Sequence, residues 1–309
     1  MIQLIINYAN QHKIQLNIKD KGRNEWYPFL IAVYKNNIAM ARIIIDYANQ
    51  HNIELNINDK DLNGWNPLLY ASNYNNTKMV ELILNYAIQN NIVLDLNDKH
   101  IHGWYPLLFA VNYNNIVMVN IILEYANKFN IELNINEKDI YGIYPFLCAV
   151  KNNDIAIAKK IINYANQHHI KLNIKNKPFY YAVLNNNIDM ANLIIGYANE
   201  HNEILNINFK NHYGYYPLFF ATNKNNIEMV QLIIEYANKH NITLHYNVAD
   251  VKRNIHIYSL LCNNKSRKEG MFKKTFNGHQ GNKFNGQEKS IYLSKLIIFI
   301  YNKKYFFNS

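Results

Sequence analysis

Residues 59–97 read DKDLNGWNPLLYASNYNNTKMVELILNYAIQNNIVLDLN, and this stretch decides the fold. Gly64, three residues before Pro67, marks a tight turn, because glycine enters positive φ without a steric penalty. Pro67 opens a helix at its first position, where a missing N–H costs nothing. Ala71 is small enough to let a neighbouring helix approach. Asn75 stops the helix, since Asn tolerates the left-handed conformation, and Asn76 is a good N-cap for a second helix. The apolar stripe of that helix runs through Met79/Val80, Ile83 and Tyr86/Ala87 at i, i+3/i+4, i+7 spacing. Alternation after it, as in Ile53-Glu54-Leu55-Asn56-Ile57 one unit earlier, predicts extended chain.

The same unit returns along the chain. All six prolines (Pro28, Pro67, Pro106, Pro145, Pro178 and Pro217) fall 39, 39, 39, 33 and 39 residues apart. Tyr8, Tyr47, Tyr86, Tyr125, Tyr164, Tyr197 and Tyr236 keep the same beat. Gly103, Gly142 and Gly214 repeat Gly64, and Asn37, Asn115, Asp154, Asn187 and Asn226 repeat Asn76. A fixed period of this length is the mark of a solenoid, in which no unit buries its apolar face alone. The expected organisation is an all-α solenoid over residues 1–247. It comprises a partial unit 1–19, then units 20–58, 59–97, 98–136, 137–175, 176–208 and 209–247.

Residues 61–71 (DLNGWNPLLYA), 100–110 (HIHGWYPLLFA) and 139–149 (DIYGIYPFLCA) resemble the ankyrin repeat, whose pattern is Asp-x-x-Gly-x-Thr-Pro-Leu-His-x-Ala. The resemblance covers residues 1–247 in one register. It departs from the family in three places. The Thr and His around Pro-Leu become Asn66 and Leu69, or Tyr105 and Leu108, so the hydrogen bonds those residues make between repeats are expected to give way to apolar and aromatic packing. Ala48, Ala87, Ala126, Ala165, Ala198 and Ala237 stand where the family stops its second helix with Gly. The helix is therefore expected to run on through sequences such as Ala48-Asn49-Gln50-His51-Asn52, lengthening the unit beyond the family's period of about 33 residues. The unit at Pro178 is short in its turn instead: Ile135 to Pro145 is ten residues and Ile174 to Pro178 is four. It is expected to lack its hairpin and to interrupt the groove.

In the family, partners bind at the hairpins and at the exposed end of the first helix. The resemblance therefore implies a candidate partner-binding set of Trp26, Tyr34, Trp65, Tyr74, His102, Trp104, Tyr113, Tyr141, Tyr213 and Tyr215, strongest between Trp26 and Tyr144. Trp and Tyr suit protein recognition as rigid anchors. The three tryptophans share one place in their repeats. They either form a ladder that packs hairpin on hairpin, or offer anchors to a partner.

Catalytic motifs are absent: there is no G-x-S-x-G, P-loop, dinucleotide fingerprint, H-E-x-x-H or C-x-x-C. No cofactor and no metal site are expected. His12, His51, His168, His201 and His240 recur at second-helix ends, one per repeat, and read as solvated helix-end residues that favour the macrodipole when protonated. Asp59 and Asp61 read as turn residues. Cys148 takes the place of Tyr70 and Phe109 and reads as a packed thiol. Two isolated cysteines, Cys148 and Cys262, suit a reducing compartment. The expected location is the cytoplasm, with the nucleus as alternative. No signal peptide is visible at Met1 and no run of 18 apolar residues exists.

Charge divides the chain. The 309 residues carry a net charge of +10, and residues 248–309 hold 12 Lys/Arg against 3 Asp/Glu. The repeats are close to neutral, so contact with nucleic acid or an anionic membrane is expected only through the tail. That tail reads as basic and partly disordered, with a short apolar segment at 290–301. The segment suits a helix docking on the last repeat or on a membrane, or sequence outside any functional module. Over-use of Asn, Ile, Tyr and Lys matches what an AT-rich genome would give. The expected function is a noncatalytic protein-interaction scaffold or adaptor, monomeric, with unidentified protein partners. The alternatives are tail-mediated targeting, or a piece of a larger repeat protein, since Met1 enters at a second helix.

Overall fold

The computed structural model describes residues 2–246, 256–257 and 259–262. Contacts divide the chain into two units, Met1–Tyr258 and Ser259–Ser309. The basic tail segments around 265–289 and the apolar 290–301 lie outside the described residues. Among the described residues all regular structure is helical.

In chain order the α-helices are α1 (Ile2–Gln11), α2 (Pro28–Tyr34), α3 (Ile38–Gln50), α4 (Pro67–Asn73), α5 (Thr77–Gln89), α6 (Pro106–Asn112), α7 (Ile116–Lys128), α8 (Pro145–Lys151), α9 (Ile155–Gln167), α10 (Lys177–Leu184), α11 (Ile188–Glu200), α12 (Pro217–Asn223) and α13 (Ile227–Lys239). Each short helix packs on the longer helix that follows it. Short helices stack on short and long on long, giving two continuous rows. Ala71, Ala110, Ala149, Ala182 and Ala221 are completely buried between them.

The caps follow from Asn chemistry. Asn75 is left-handed at φ 51°, and Asn76 N–H bonds back to Ala71 O. Asn76 Oδ1 then accepts from Met79 N, so one residue closes a helix and opens the next. Its Nδ2 also donates to Asn36 Oδ1 of the preceding repeat at 2.6 Å. Asn115, Asn187 and Asn226 repeat that cross-repeat bond.

The second helices do run past the Ala that replaces the family's Gly, but only as far as Gln50 and its equivalents. The expected continuation through Asn52 does not occur. Asn52 is left-handed at φ 51°, and Ile53 N–H returns to Ala48 O at 2.8 Å, which is a Schellman stop. Asn91, Asn130, Asn202 and Asn241 act alike, and His169 takes the role in α9. The extra residues thus become a short helical extension, a cap and an extended link.

The links pair without forming a strand among the described residues. Asn97 Nδ2 donates to Glu132 O and its Oδ1 accepts from Asn134 N, both at 2.9 Å. Asn136 makes the same two bonds to Lys171 O and Asn173 N. The abundance of Asn therefore has structural work in this fold, whatever the genome supplied.

Tyrosine binds the repeats together. Leu55 N–H donates to Tyr86 Oη, and the pattern recurs at Tyr47, Tyr125, Tyr164, Tyr197 and Tyr236. Where the family has Thr before Pro, Tyr105 Oη donates to Asn134 O and Glu137 O, both at 3.1 Å, and Tyr27 and Tyr144 reach the next repeat likewise. Hydrogen bonding between repeats is thus retained rather than replaced by packing. The phenol reaches where a shorter Thr side chain would not.

Candidate partner-binding face

The hairpin of unit 59–97 is an Asx turn. Asp61 Oδ1 accepts from Asn63 N and Trp65 N, Gly64 N–H bonds to Asp61 O, and Gly64 sits at φ 80°. His100 takes the Asp place in the next unit and accepts from His102 N through Nδ1 at 3.0 Å. Burial, followed by the neighbouring His102, holds the His100 imidazole below its ordinary pKa. Asp139 repeats Asp61 in the fourth hairpin, and Asn211 does so in the last. Gly22 occupies the Asp place of the first hairpin. There Glu25 stands where the others have Gly and is left-handed at φ 63°.

The tryptophans do not stack on one another. Trp65 lies between Tyr70, at 4.8 Å, and His100, at 4.5 Å and nearly parallel. Trp26 meets Tyr34 edge-on, and Trp104 leans on Phe109. All three are half-buried. Each ring joins its own hairpin to the first-helix row, which is the packing role, with one edge left to solvent.

The candidates fall into three groups. Trp65, His102, Trp104, Tyr113 and Tyr141 line one depression of about 340 Å³ with His100 and Phe109. Trp26, Tyr34 and Tyr74 gather around Tyr70. Tyr213 and Tyr215 line a separate depression of about 540 Å³ with Tyr180, Tyr181, Phe209 and Phe220. The hairpin tips carry a row of exposed apolar groups: Tyr141 is 73% exposed and Tyr213 72%, with Leu62, Ile101 and Ile140 in the same row; Leu4 of α1 is exposed to a similar degree. Leu62, Ile101 and Ile140 stand at hairpin positions that the family resemblance also implies for partner contact, beside the ten aromatic candidates.

Unit 176–208 has no hairpin: Asn176 leads straight into α10. α10 still packs on both α8 and α12, so the helix rows are continuous and only the hairpin row is interrupted. Lys177 and Tyr181 border the gap on both sides.

The helix-end histidines are half-buried rather than solvated, His12 excepted. His51, His168 and His201 pair through Nε2 with Asn10, Asn127 and Asn166 of the preceding repeat, and each ring packs on the tyrosine four residues before it. No group of three or more His, Cys, Asp or Glu among the described residues is placed to hold a metal ion. Cys148 is buried, and burial pushes its thiol up to about 11. Among the described residues no helix is long and apolar enough to cross a membrane.

A family model for ankyrin repeats in three copies matches residues 1–94 and again 51–137. No curated protein matches the sequence. Among solved structures, an ankyrin repeat domain from Acinetobacter baumannii AYE is 16% identical over 68% of this chain and 98% of its own, with a TM-score of 0.50. The ankyrin repeat domain of Bcl-3, described as a unique member of the IkappaB family, is also 16% identical, over 69% and 87%, with a TM-score of 0.49. The turn–helix–helix unit of residues 59–97, repeated in register to Asn241 and matched in its first half by that family model, makes this chain an ankyrin-repeat protein.

Proposed function

We propose that the protein is a noncatalytic recognition module that binds a protein partner through its hairpin tips and the exposed ends of its first helices. Ankyrin repeats are in general protein–protein interaction modules. One observation carries the reading to this face: the hairpin row presents Leu62, Ile101, Ile140, Tyr141 and Tyr213 to solvent while the rings behind them are packed and half-buried. Exposed aromatic and aliphatic groups held on a rigid support suit anchoring into a partner. The near-neutral charge of the repeats favours a partner that is not a polyanion.

The test is capture of partners by the full chain and by an Ile101→Glu/Tyr141→Glu variant. Both positions are exposed, so the fold should tolerate the change. Loss of capture in the variant, with little dependence on salt, supports the array. The net charge of the last 62 residues favours a second reading, in which the tail targets nucleic acid or an anionic membrane. Binding that falls steeply with salt, ignores the hairpin variant and disappears without residues 248–309 would establish that reading instead.

A further inference from the structure

Four of the five hairpins are organised by a polar side chain, and in three of these four its outer edge finds a partner. Asp61 Oδ2 accepts from Tyr70 Oη at 2.6 Å, nine residues on. His100 stacks on Trp65 and Phe109. Asn211 Nδ2 donates to Tyr180 Oη at 2.9 Å. Asp139 is the exception. Its Oδ1 serves the turn amides, but its Oδ2 is buried without a hydrogen-bond partner, and the residue is only 6% exposed. Cys148 stands where Tyr70 would supply the hydroxyl, and the residue at the Tyr180 place in the preceding repeat is Leu108, which has none. A buried carboxylate oxygen left unpaired costs about 1–3 kcal/mol or more.

Beside this oxygen lies a cavity of about 370 Å³, large enough for a side chain and lined by Asp139 and Cys148 together with Trp104, Tyr141 and Tyr181. The missing hairpin of unit 176–208 leaves it open on one side. The Cys148 thiol makes only long contacts, 3.9 Å to Asn112 Oδ1 and to Asn152 Nδ2, so little holds it over the carboxylate.

We propose that this cavity takes a tyrosine side chain of the protein partner, its hydroxyl donating to Asp139 Oδ2 as Tyr70 donates to Asp61 two repeats earlier. The inference rests on the protein-recognition reading above and names one anchor of that partner. A ring entering here finds aromatic faces on Trp104 and Tyr141, while Lys151 Nζ lies over the Tyr181 ring at 5.5 Å. A neutral donor fits better than an arginine or lysine, because Lys151 and Lys177 line the same cavity, neither is in an ion pair among the described residues, and both oppose an incoming cation. Cys148 rotates aside to admit the hydroxyl.

The test uses the full chain and three small probes, p-cresol, toluene and methylguanidinium, titrated while the Trp104 indole N–H resonance is followed by NMR. Toluene has the ring without the hydroxyl, and methylguanidinium is the cationic rival. The expected result is a saturable shift with p-cresol, roughly tenfold weaker or more with toluene, since a hydrogen bond to a charged group is at stake, and weaker still with methylguanidinium. Cys148→Tyr and Cys148→Phe should each fill the cavity and abolish the p-cresol shift. Cys148→Phe matches the residue at that place in unit 98–136, which guards against a failure of Cys148→Tyr to fold. Of the two, Cys148→Tyr should melt higher because it alone satisfies Asp139. Equal affinity for toluene and p-cresol, preference for methylguanidinium, no shift with any probe, or a p-cresol shift that survives Cys148→Phe would each overturn the proposal. Ile101 does not line this cavity, so loss of capture on Ile101→Glu alone tests the wider reading separately from these outcomes.

Discussion

Hairpins 61–65 and 139–143 are built from the same turn, yet they end differently. In both, an Asp accepts two amides and a left-handed glycine closes the loop. In the first, Tyr70 completes the carboxylate and the next hairpin lies against it. In the second, Cys148 leaves the carboxylate unfinished, and no hairpin follows. One hairpin is satisfied by its own chain, and the other faces an opening with an unused acceptor. On the reading proposed above, the same turn position serves stability in one repeat and recognition in another.

Raising the pH strikes what the two regions share. Burial pushes the Tyr27, Tyr105 and Tyr144 phenols, which tie hairpin repeats to their neighbours, above the ordinary value near 10. It does the same, more weakly, for Tyr86, Tyr125, Tyr164, Tyr197 and Tyr236. The folded state therefore holds protons that the unfolded chain releases. Stability is full below about pH 10 and falls above it, because the unfolded state then binds fewer protons. Denaturant melts across that range should show the fall, and Tyr105→Phe should flatten it.

The stacked and the open hairpin should part company under a single methyl group. At Gly103 an added Cβ would meet Asp139 Cα at 3.1 Å and would sit at φ 81°. At Gly142 the nearest atom is the flexible end of Lys177, at 3.9 Å. Gly103→Ala is expected to cost about 2–3 kcal/mol and Gly142→Ala about 1–2 kcal/mol, measured by urea melts. Equal costs would mean that the hairpins do not rest on each other.

Tyr70→Phe should convert the first hairpin into a copy of the second by stranding Asp61 Oδ2, at about 1–3 kcal/mol. The smallest effect is expected at hairpin 22–26, where Glu25 holds a left-handed conformation that glycine adopts freely. Glu25→Gly should stabilise by up to about 1 kcal/mol, less whatever its exposed ion pair with Lys21 supplies. A loss of stability there would show that the ion pair outweighs the strain.

Much of this was legible in the residues. Pro67, Gly64 and the Asn75-Asn76 pair specify a turn and two helices through their own backbone preferences, so local chemistry sufficed. The missing hairpin before Pro178 was equally plain, because four residues cannot make one. What could not be read was where long side chains end. Whether Trp65 meets a partner or lies between Tyr70 and His100 depends on a residue 35 positions away. That Tyr105 would replace a Thr hydrogen bond depends on the reach of a phenol into the next repeat. The orphaned Asp139 oxygen is invisible until Cys148 is seen to occupy the Tyr70 place beside it.

The central claim is that a protein partner is held by the hairpin face. A photo-crosslinking residue placed in the full chain at Tyr141, at Tyr213 and, on the far side of the unit, at exposed Glu81 of α5 tests it most directly. Irradiation in an extract of the source cells should join one common protein to positions 141 and 213 and leave position 81 free. Adducts formed at position 81 and absent from both hairpin positions would contradict it.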